Sequence, residues 1–471
     1  MNEPYTMDSV TNPFIFIGGT NMKVLKMMLV SGLTVSMLAG CGSKPEAPKA
    51  GSAAATSAAT TANPATIKYY NWATGPSIEQ INQIIANFEK KFPNIHVENI
   101  QLVNNGNSLE FYKKLDLMAA SGEAIDVADF SNVDFVTERA SRGVLQPLDE
   151  YLNKDGIKVD DTYYMTPKYQ NKVYGLENSS QLWLVAINKD ALDAAKLPVP
   201  TWGWTWDDFR DYAKKMTKGS GDTKQYGAFF HTWGEYANMT AYTELPHPYL
   251  KKDQTPVFGD ESFKTFFNLR RAMEKDDQSV KPYSDIIGGK LRYDSEFLGG
   301  KAAMIPTANF VVNLIKDTNK FPHTFKTVFA PMPVSSKSVE IGTSNLGGGF
   351  MSIGQSSKHK QESYEFIKYV TQQMDVIRDL PGLKSADKDK IIKALVGDKA
   401  DLIDVDSLSA TMFDKRIKSI YDPSYSTPYS SQLKPVLENG LSTFLLDKLT
   451  PEAAQKQMID EANKIIQQNK K

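Results

Sequence analysis

Residues 67–100 open with Ile67-Lys68-Tyr69-Tyr70-Asn71-Trp72 and turn at Thr74-Gly75-Pro76. There follows a stretch in which Ile78, Ile81, Ile84, Ile85, Phe88 and Phe92 recur every three or four positions, then Pro93-Asn94, then Ile95-His96-Val97-Glu98-Asn99-Ile100. A run of β-formers ending in turn residues reads as a strand. The apolar spacing predicts a helix, capped by Ser77 and stopped at Pro93, and the strict alternation after it predicts a second strand. Strand, helix and strand in that order make a βαβ unit, in which one helix covers two parallel strands.

The pattern continues outward. A helix is expected over 108–121, a strand over 125–130, and a helix over 134–142 that ends at Gly143. Alternation of this kind argues for an α/β fold with a mainly parallel sheet covered by helices. Upstream, Met22, Lys23 and Lys26 precede an apolar run at 27–39 with small residues before Cys41, the order of a signal peptide. The run is shorter than the roughly 20 residues a spanning helix needs. We therefore expect a signal peptide at 1–40, with translation starting at Met22, because 1–21 carries Pro4 and Pro13 and no basic cluster. Cys41 is the only cysteine, which excludes an intrachain disulfide and a thiolate zinc cluster. Residues 42–66 are rich in Ala, Ser, Thr and Pro and hold no aromatic side chain, so 41–66 is expected to be a flexible tether.

The chain has 471 residues, with 54 Lys and Arg against 55 Asp and Glu. That balance gives no electrostatic footprint for a nucleic acid, and none is expected as a partner. The length leaves room for two lobes. The triple glycine at 347–349 is followed by no Gly-Lys-Ser/Thr, so it is not a phosphate loop; a strand crossing closely between lobes accounts for it better.

Leu38-Ala39-Gly40-Cys41 resembles the lipobox of bacterial lipoproteins, which implies lipidation of Cys41. The body of the chain, 67–471, resembles family 1 of the extracellular solute-binding proteins, the receptors of ABC importers that include the maltose and maltodextrin binding proteins. The pieces that carry the resemblance are Asn71-Trp72, Phe88-Glu89-Lys90-Lys91-Phe92-Pro93, Ala119-Ala120-Ser121-Gly122 before Asp126-Val127, and Gly143-Val144-Leu145-Gln146-Pro147-Leu148-Asp149. Further along come Val173-Tyr174-Gly175-Leu176, Asn188-Lys189-Asp190, Thr205-Trp206-Asp207-Asp208-Phe209, Gly300-Lys301-Ala302-Ala303-Met304, Gly347-Gly348-Gly349-Phe350 and Glu365-Phe366-Ile367-Lys368-Tyr369. The family's usual Gly-x-Trp after the Ala-Met strand is replaced by Ala308-Asn309-Phe310.

The resemblance implies two α/β lobes with a hinge and a ligand cleft between them, one at 67–178 plus 347–410 and the other at 179–346 plus 411–471. It also implies a monomeric receptor on the outer face of the cell membrane, held there by its lipid alone. Such a receptor needs no cofactor and catalyses nothing; it delivers a carbohydrate, expected to be an oligosaccharide, to the transmembrane subunits of a permease. A sugar presents a flat C–H face and a fringe of hydroxyls, so its site needs aromatic platforms beside acceptors and donors. Candidates in loops are Asn71 and Trp72, Asp129 and Asn132, Ser180 and Gln181, Trp233 and Glu235, and Tyr425; the resemblance adds Phe310, at the position where the family commonly stacks a tryptophan. Each also has a plainer reading as a helix cap, a turn former or a half-buried ring. Trp206 is expected to pack at the start of a helix capped by Thr205.

Two other classes stay open on the residues alone. A secreted glycoside hydrolase would use a carboxylate pair, which isolated Asp and Glu residues neither reveal nor exclude. The five histidines are scattered and neither HExxH nor Gly-x-Ser-x-Gly occurs, so metalloprotease and α/β-hydrolase signatures are absent. A surface lipoprotein without a transport role would show repeats or β-rich patterning, and the sequence has neither.

Overall fold

The opening strand β1 (Ala65–Asn71) buries Ile67 and Tyr69 in one core and leaves Lys68 exposed, as its alternation requires. In the computed structural model, which describes residues 64–344 and 347–469, β1 is followed by α1 (Pro76–Lys91) and β2 (Ile95–Gln101). The two strands pair in parallel from Ala65 opposite Ile95 to Asn71 opposite Gln101. Ile81, Ile84, Ile85 and Phe88 are the buried face of α1. Two details depart from expectation. β1 begins at Ala65, inside the span expected to be tether, because Ala65 donates to the Asn94 carbonyl and extends the ladder. The cap of α1 is Gly75, at a φ of 54°, with Pro76 at the first helical position, so the turn is set by backbone shape and not by the Ser77 hydroxyl.

Next come α2 (Ser108–Ser121), β3 (Val127–Phe130), α3 (Val133–Ser141) and β4 (Leu176–Gln181). One residue after β4 the chain enters a different sheet as β5 (Trp183–Asn188). The second half is built from α4 (Trp206–Met216), β6 (Tyr226–Ala228), α5 (Glu261–Lys275), α6 (Tyr293–Leu298), β7 (Ala302–Ala308), α7 (Val311–Lys316) and β8 (Thr327–Pro331). The chain then returns through β9 (Gly347–Ile353) and α8 (Lys360–Gln372), and closes with α9 (Lys388–Val396), α10 (Val405–Met412), α11 (Ser430–Leu445) and α12 (Pro451–Asn469).

The larger sheet has the order β2-β1-β3-β9-β4 and the smaller β8-β5-β7-β6. Parallel pairing is confined to β1 with its neighbours β2 and β3 in the first and to β6 with β7 in the second; β9 and β5 run antiparallel to both their partners. The mainly parallel sheet expected from the opening units therefore holds only where βαβ crossovers build it. Strands that return from the other half enter in the opposite direction.

Thr205 forms a capping box with Asp208 at the start of α4, and Trp206 is buried against Phe209 and Phe266. Helix α9 and most of α10 fall inside the segment 347–410 expected with the first lobe, yet Ile391, Leu395 and Leu408 share a core with Leu184 and Phe329 of the second sheet. The tie is also made through backbone: Thr327 donates to the Leu402 carbonyl and Asp404 to that of Thr327. Helices α11 and α12 pack with α5, where Phe444 stacks on Phe267 at 4.8 Å.

At the edge of the larger sheet, β4 pairs with β9, and Glu177 is buried there at 1% exposure. Its Oε2 accepts from the Met165 N–H at 2.7 Å and its Oε1 from the Ser180 hydroxyl at 2.6 Å. Burial dominates these hydrogen bonds and pushes the carboxyl up to about 8 from 4.5. Between those values the folded chain keeps a proton that the unfolded chain has lost. The resulting stability is present below about pH 4.5 and is lost as pH rises towards 8. Glu177→Gln, which keeps the shape and an acceptor for Met165, should flatten the fall in melting temperature between pH 5 and pH 8 relative to the wild type. Parallel pH profiles for the two proteins would contradict a protonated Glu177.

Candidate ligand-binding cleft

The carboxyl ends of β1, β2 and β3 point to one edge of the first sheet, where open α/β sheets present their loops to ligands. There, Trp72 and Ala73, the loop 105–109, and residues 129–132 form one wall of a cavity of about 690 Å³. The opposite wall comes from the second half of the chain: residues 232, 233 and 235 beyond β6, Arg292 and Tyr293 at the start of α6, Phe310 beyond β7, and Lys434 and Glu438 on α11. The floor is the paired β4 and β9, with Asn178, Ser179 and Gln181 of β4 and Gly349 of β9, together with Arg378 and Asp379 from the strap between α8 and α9.

Each wall carries its own aromatic group. Trp72 is half-buried and leans on Phe111 at 5.1 Å and Tyr112 at 5.8 Å. Across the cavity, Trp233 lies 5.3 Å from Tyr293 and 6.4 Å from Phe310, and Tyr293 lies 6.2 Å from Phe310. His231 supports Trp233 from behind at 4.5 Å. Burial pulls its imidazole down to about 4, so it packs as a neutral ring.

The polar groups between these platforms are mostly held by neighbours. Asp129 takes the Tyr69 hydroxyl on Oδ2 at 2.5 Å and the Asn178 amide on Oδ1 at 3.4 Å; burial raises its carboxyl to about 6 against the opposing pull of Arg378. Asn132 caps α3 by accepting from the Phe135 N–H at 3.1 Å, which leaves its amide group for the cavity. Tyr112 both donates to the Ser131 hydroxyl and accepts from the Ser131 N–H, fixing the turn beside it. Glu235 is bound to Lys434 Nζ at 2.7 Å, and Glu438 accepts from the Gly234 N–H at 3.0 Å.

Of the ten residues singled out in the sequence, Trp72, Asp129, Asn132, Gln181, Trp233, Glu235 and Phe310 line the cavity. Three do not. Asn71 is buried and shapes the loop from below, donating to Asn99 Oδ1 at 2.8 Å and accepting from the Ala73 N–H at 3.0 Å. Ser180 is buried because its hydroxyl serves Glu177. Tyr425 sits in the short turn Pro423–Tyr425, facing His247 at 6.4 Å. Arg292, Tyr293, Arg378, Asp379, Lys434 and Glu438 were not anticipated; the sole sequence signal among them is the four-residue spacing of Lys434 and Glu438, which puts both on one face of a helix. Cys41 and the segment 1–63 lie outside the described residues.

Residues 49–374 match the sequence profile of the bacterial extracellular solute-binding proteins. A lipoprotein of Streptomyces antibioticus from the oleD 5′ region is 24% identical over 365 residues, spanning 75% of this chain and 74% of its own length. The multiple sugar-binding protein of Streptococcus mutans is 23% identical over 369 residues, spanning 74% of this chain and 78% of its own. An ABC substrate-binding protein of Listeria monocytogenes, solved with cycloalternan, superposes with a TM-score of 0.70 at 18% identity, covering 86% of this chain and 99% of that one. The maltose/maltodextrin-binding domain of Bdellovibrio bacteriovorus, solved with maltotriose, gives 0.65 at 19% identity, with 85% and 100% covered. These likenesses fix the fold as the two-lobed architecture of sugar-binding receptors.

Proposed function

The chain belongs to the bacterial extracellular solute-binding proteins, and from that premise we propose that it is the receptor of an ABC importer that encloses an oligosaccharide in the 690 Å³ cleft and hands it to a membrane permease. One observation carries the reading: aromatic side chains on both walls, Trp72 on one and the Trp233–Tyr293–Phe310 group on the other, line a cavity whose polar lining is made of amides, hydroxyls, the carboxylates of Asp129, Asp379, Glu235 and Glu438, and the cations Arg292, Arg378 and Lys434. Rings that exclude water above polar groups that fix orientation are what a carbohydrate needs. The volume falls within the range of about 300–1,000 Å³ that encloses a ligand of several rings. The sugar-binding relative in Streptococcus mutans and the saccharides in the two solved complexes support the same reading.

In this proposal the lobes follow the packing: 64–181 with 347–372 around the first sheet, and 183–344 with 388–469 around the second. Sugar stabilises the closed pair of lobes by touching both. No reaction is assigned, since Glu235, Glu438 and Asp129 are each committed to Lys434, the Gly234 N–H and Tyr69. The receptor acts as a monomer on the outer face of the membrane, with a lipid on Cys41 as its only attachment.

A thermal-shift screen of the mature protein against mono- and oligosaccharides, amino acids and peptides, with product analysis of each sugar, tests the reading. A ligand at 100 times its Kd should add about 2.7 kcal/mol of stability, with no turnover. Calorimetric titration should then show Trp72→Ala and Trp233→Ala each weakening the sugar by about tenfold to a hundredfold. Turnover would instead identify a hydrolase, and a shift with amino acids or peptides alone would remove the carbohydrate. For the anchor, Cys41→Ser expressed in a lipoprotein-processing bacterium should move the protein from the membrane to the soluble fraction; unchanged partition would refute lipidation there.

A further inference from the structure

A second cavity, of about 520 Å³, lies apart from the cleft and shares no lining residue with it. One wall comes from 160–171, ahead of β4, and the other from 419–426, between α10 and α11. Tyr164 and Tyr169 line it from the first wall and Tyr421 from the second. Tyr164 is 49% exposed, the one aromatic residue among the exposed large apolar side chains of the described residues. A single exposed ring is ordinary, but three tyrosines on the two walls of one cavity are not scattered. Both walls are held by neighbours. The Tyr164 N–H donates to the Gly382 carbonyl at 3.0 Å, the Asp422 N–H to that of Pro246 at 2.9 Å, and the Tyr421 and Ser426 hydroxyls share a hydrogen bond of 2.7 Å.

The first wall is strained. Lys168–Tyr169 and Lys172–Val173 pair as an antiparallel hairpin whose two-residue turn holds Gln170 at a φ of 49° and Asn171 at 60°. Turns of this kind favour Asn and Gly, because a left-handed backbone strains most residues that carry a Cβ and strains Asn least. Asn171 suits that rule and Gln170 breaks it. A glycine at 170 would relax the turn but would remove an amide that lines the cavity and donates to the Tyr169 hydroxyl at 3.3 Å. Strain that folding does not require gathers where a ligand is held. The charges of the lining are already committed: Lys168 Nζ lies 2.6 Å from Asp160 Oδ2, and Asp422 Oδ1 accepts from the Ser424 N–H at 2.9 Å. An anion therefore finds no free cation here. The rest of the polar lining is amide and hydroxyl, which with the rings suits the C–H faces and hydroxyl fringe of a neutral sugar.

We propose that this outer cavity is a second saccharide-binding site, in which Tyr164, Tyr169 and Tyr421 supply the ring contacts and the Gln170 and Asn171 amides hold the hydroxyls. It goes beyond the receptor reading, which assigns one ligand to the cleft. Met165 and Tyr421 also line a void of about 70 Å³ whose other walls include Gln181, Trp183 and Glu235 of the cleft. That neck has room for a few waters and not for a sugar ring, so the two sites fill separately.

The test is calorimetric titration of the mature protein with neutral gluco-, manno- and galacto-oligosaccharides of two to four units, and with short peptides. At least one saccharide should bind twice per chain, with both Kd values below about 1 mM. Tyr164→Ala, at an exposed position, should weaken one of the two events by at least about tenfold and leave the other at its wild-type Kd, whereas Trp233→Ala should do the reverse. Gln170→Gly should weaken the same event as Tyr164→Ala while melting no lower than the wild type, because it removes the strain along with the amide. Tyr169→Ala serves as a second ring variant. One event per chain with every sugar that binds, or two events unmoved in the Tyr164, Tyr169 and Gln170 variants, overturns the outer site while leaving a receptor in place. A Tyr164-dependent event with peptides and none with sugars overturns the saccharide assignment. A Tyr164-dependent sugar event with no Trp233-dependent one upholds the outer site and removes the sugar from the cleft. Silence with every sugar overturns both.

Discussion

The close antiparallel pairing of β9 with β4 is the constraint on which the rest of the molecule depends. A Cβ on Gly349 would lie 2.5 Å from both the Asn178 Oδ1 and the Ser179 hydroxyl, and one on Gly348 would lie 3.0 Å from Glu177 Oε1. Neither glycine is among the positive-φ residues, so a side chain there would strain no backbone but would have to push the Asn178, Ser179 and Glu177 side chains aside. The pairing register shifts between Gly349 and Phe350, a bulge that leaves Asn178 without an opposite residue, and pairing resumes from Phe350 opposite Glu177. Asn178, Ser179, Gln181 and Gly349, all in these two strands, are then delivered together to the floor of the cavity. The free edge of β4 is tied where the Ser180 N–H donates to the Leu380 carbonyl at 2.7 Å, which fixes the strap that carries Arg378 and Asp379.

Charged groups in such a cleft are poor stabilisers. Taking Glu235 and Lys434 partly out of water costs about as much as their attraction returns, and an apolar pair of the same volume would serve stability as well. What the pair does is geometric. It joins the loop after β6 to α11, so the polar wall is rigid before a ligand arrives. The capping of α3 by Asn132 and the doubly bonded Tyr112–Ser131 turn do the same for the opposite wall.

How far the sequence disclosed this arrangement depends on how far apart the interacting residues lie. The opening βαβ unit was legible because its information is local: apolar residues every three or four positions, then every second one. Trp72 and Trp233 were legible as rings in loops, because a large ring outside a periodic run has no core position of its own to fill, whereas Phe310 was legible only through the family resemblance, at the place after the Ala-Met strand. Glu235 and Lys434 are 199 residues apart, and Asn313 and Asp379 are 66 apart, so neither pairing leaves a trace in any window of sequence. Tyr425 misled for the complementary reason. An aromatic-rich loop says that rings will pack together, and here they pack on His247 away from the cleft. The placement of α9 and α10 was likewise decided by distant partners, since they join the second sheet through the Thr327 backbone and a core shared with Leu184 and Phe329.

The division of the aromatic groups between the two walls has a consequence for selectivity by size. Each ring is already supported by its own half, Trp72 by Phe111 and Tyr112, and Trp233 by His231, Tyr293 and Phe310. Little side-chain freedom is lost when a sugar stacks, so affinity is not spent on ordering the platforms. A solute that reaches only one wall has no differential affinity for the closed form and leaves the lobes as they were. One that spans from Trp72 to Trp233 gains contacts only when the walls approach, and closure then follows from the length of the ligand as well as from its chemistry.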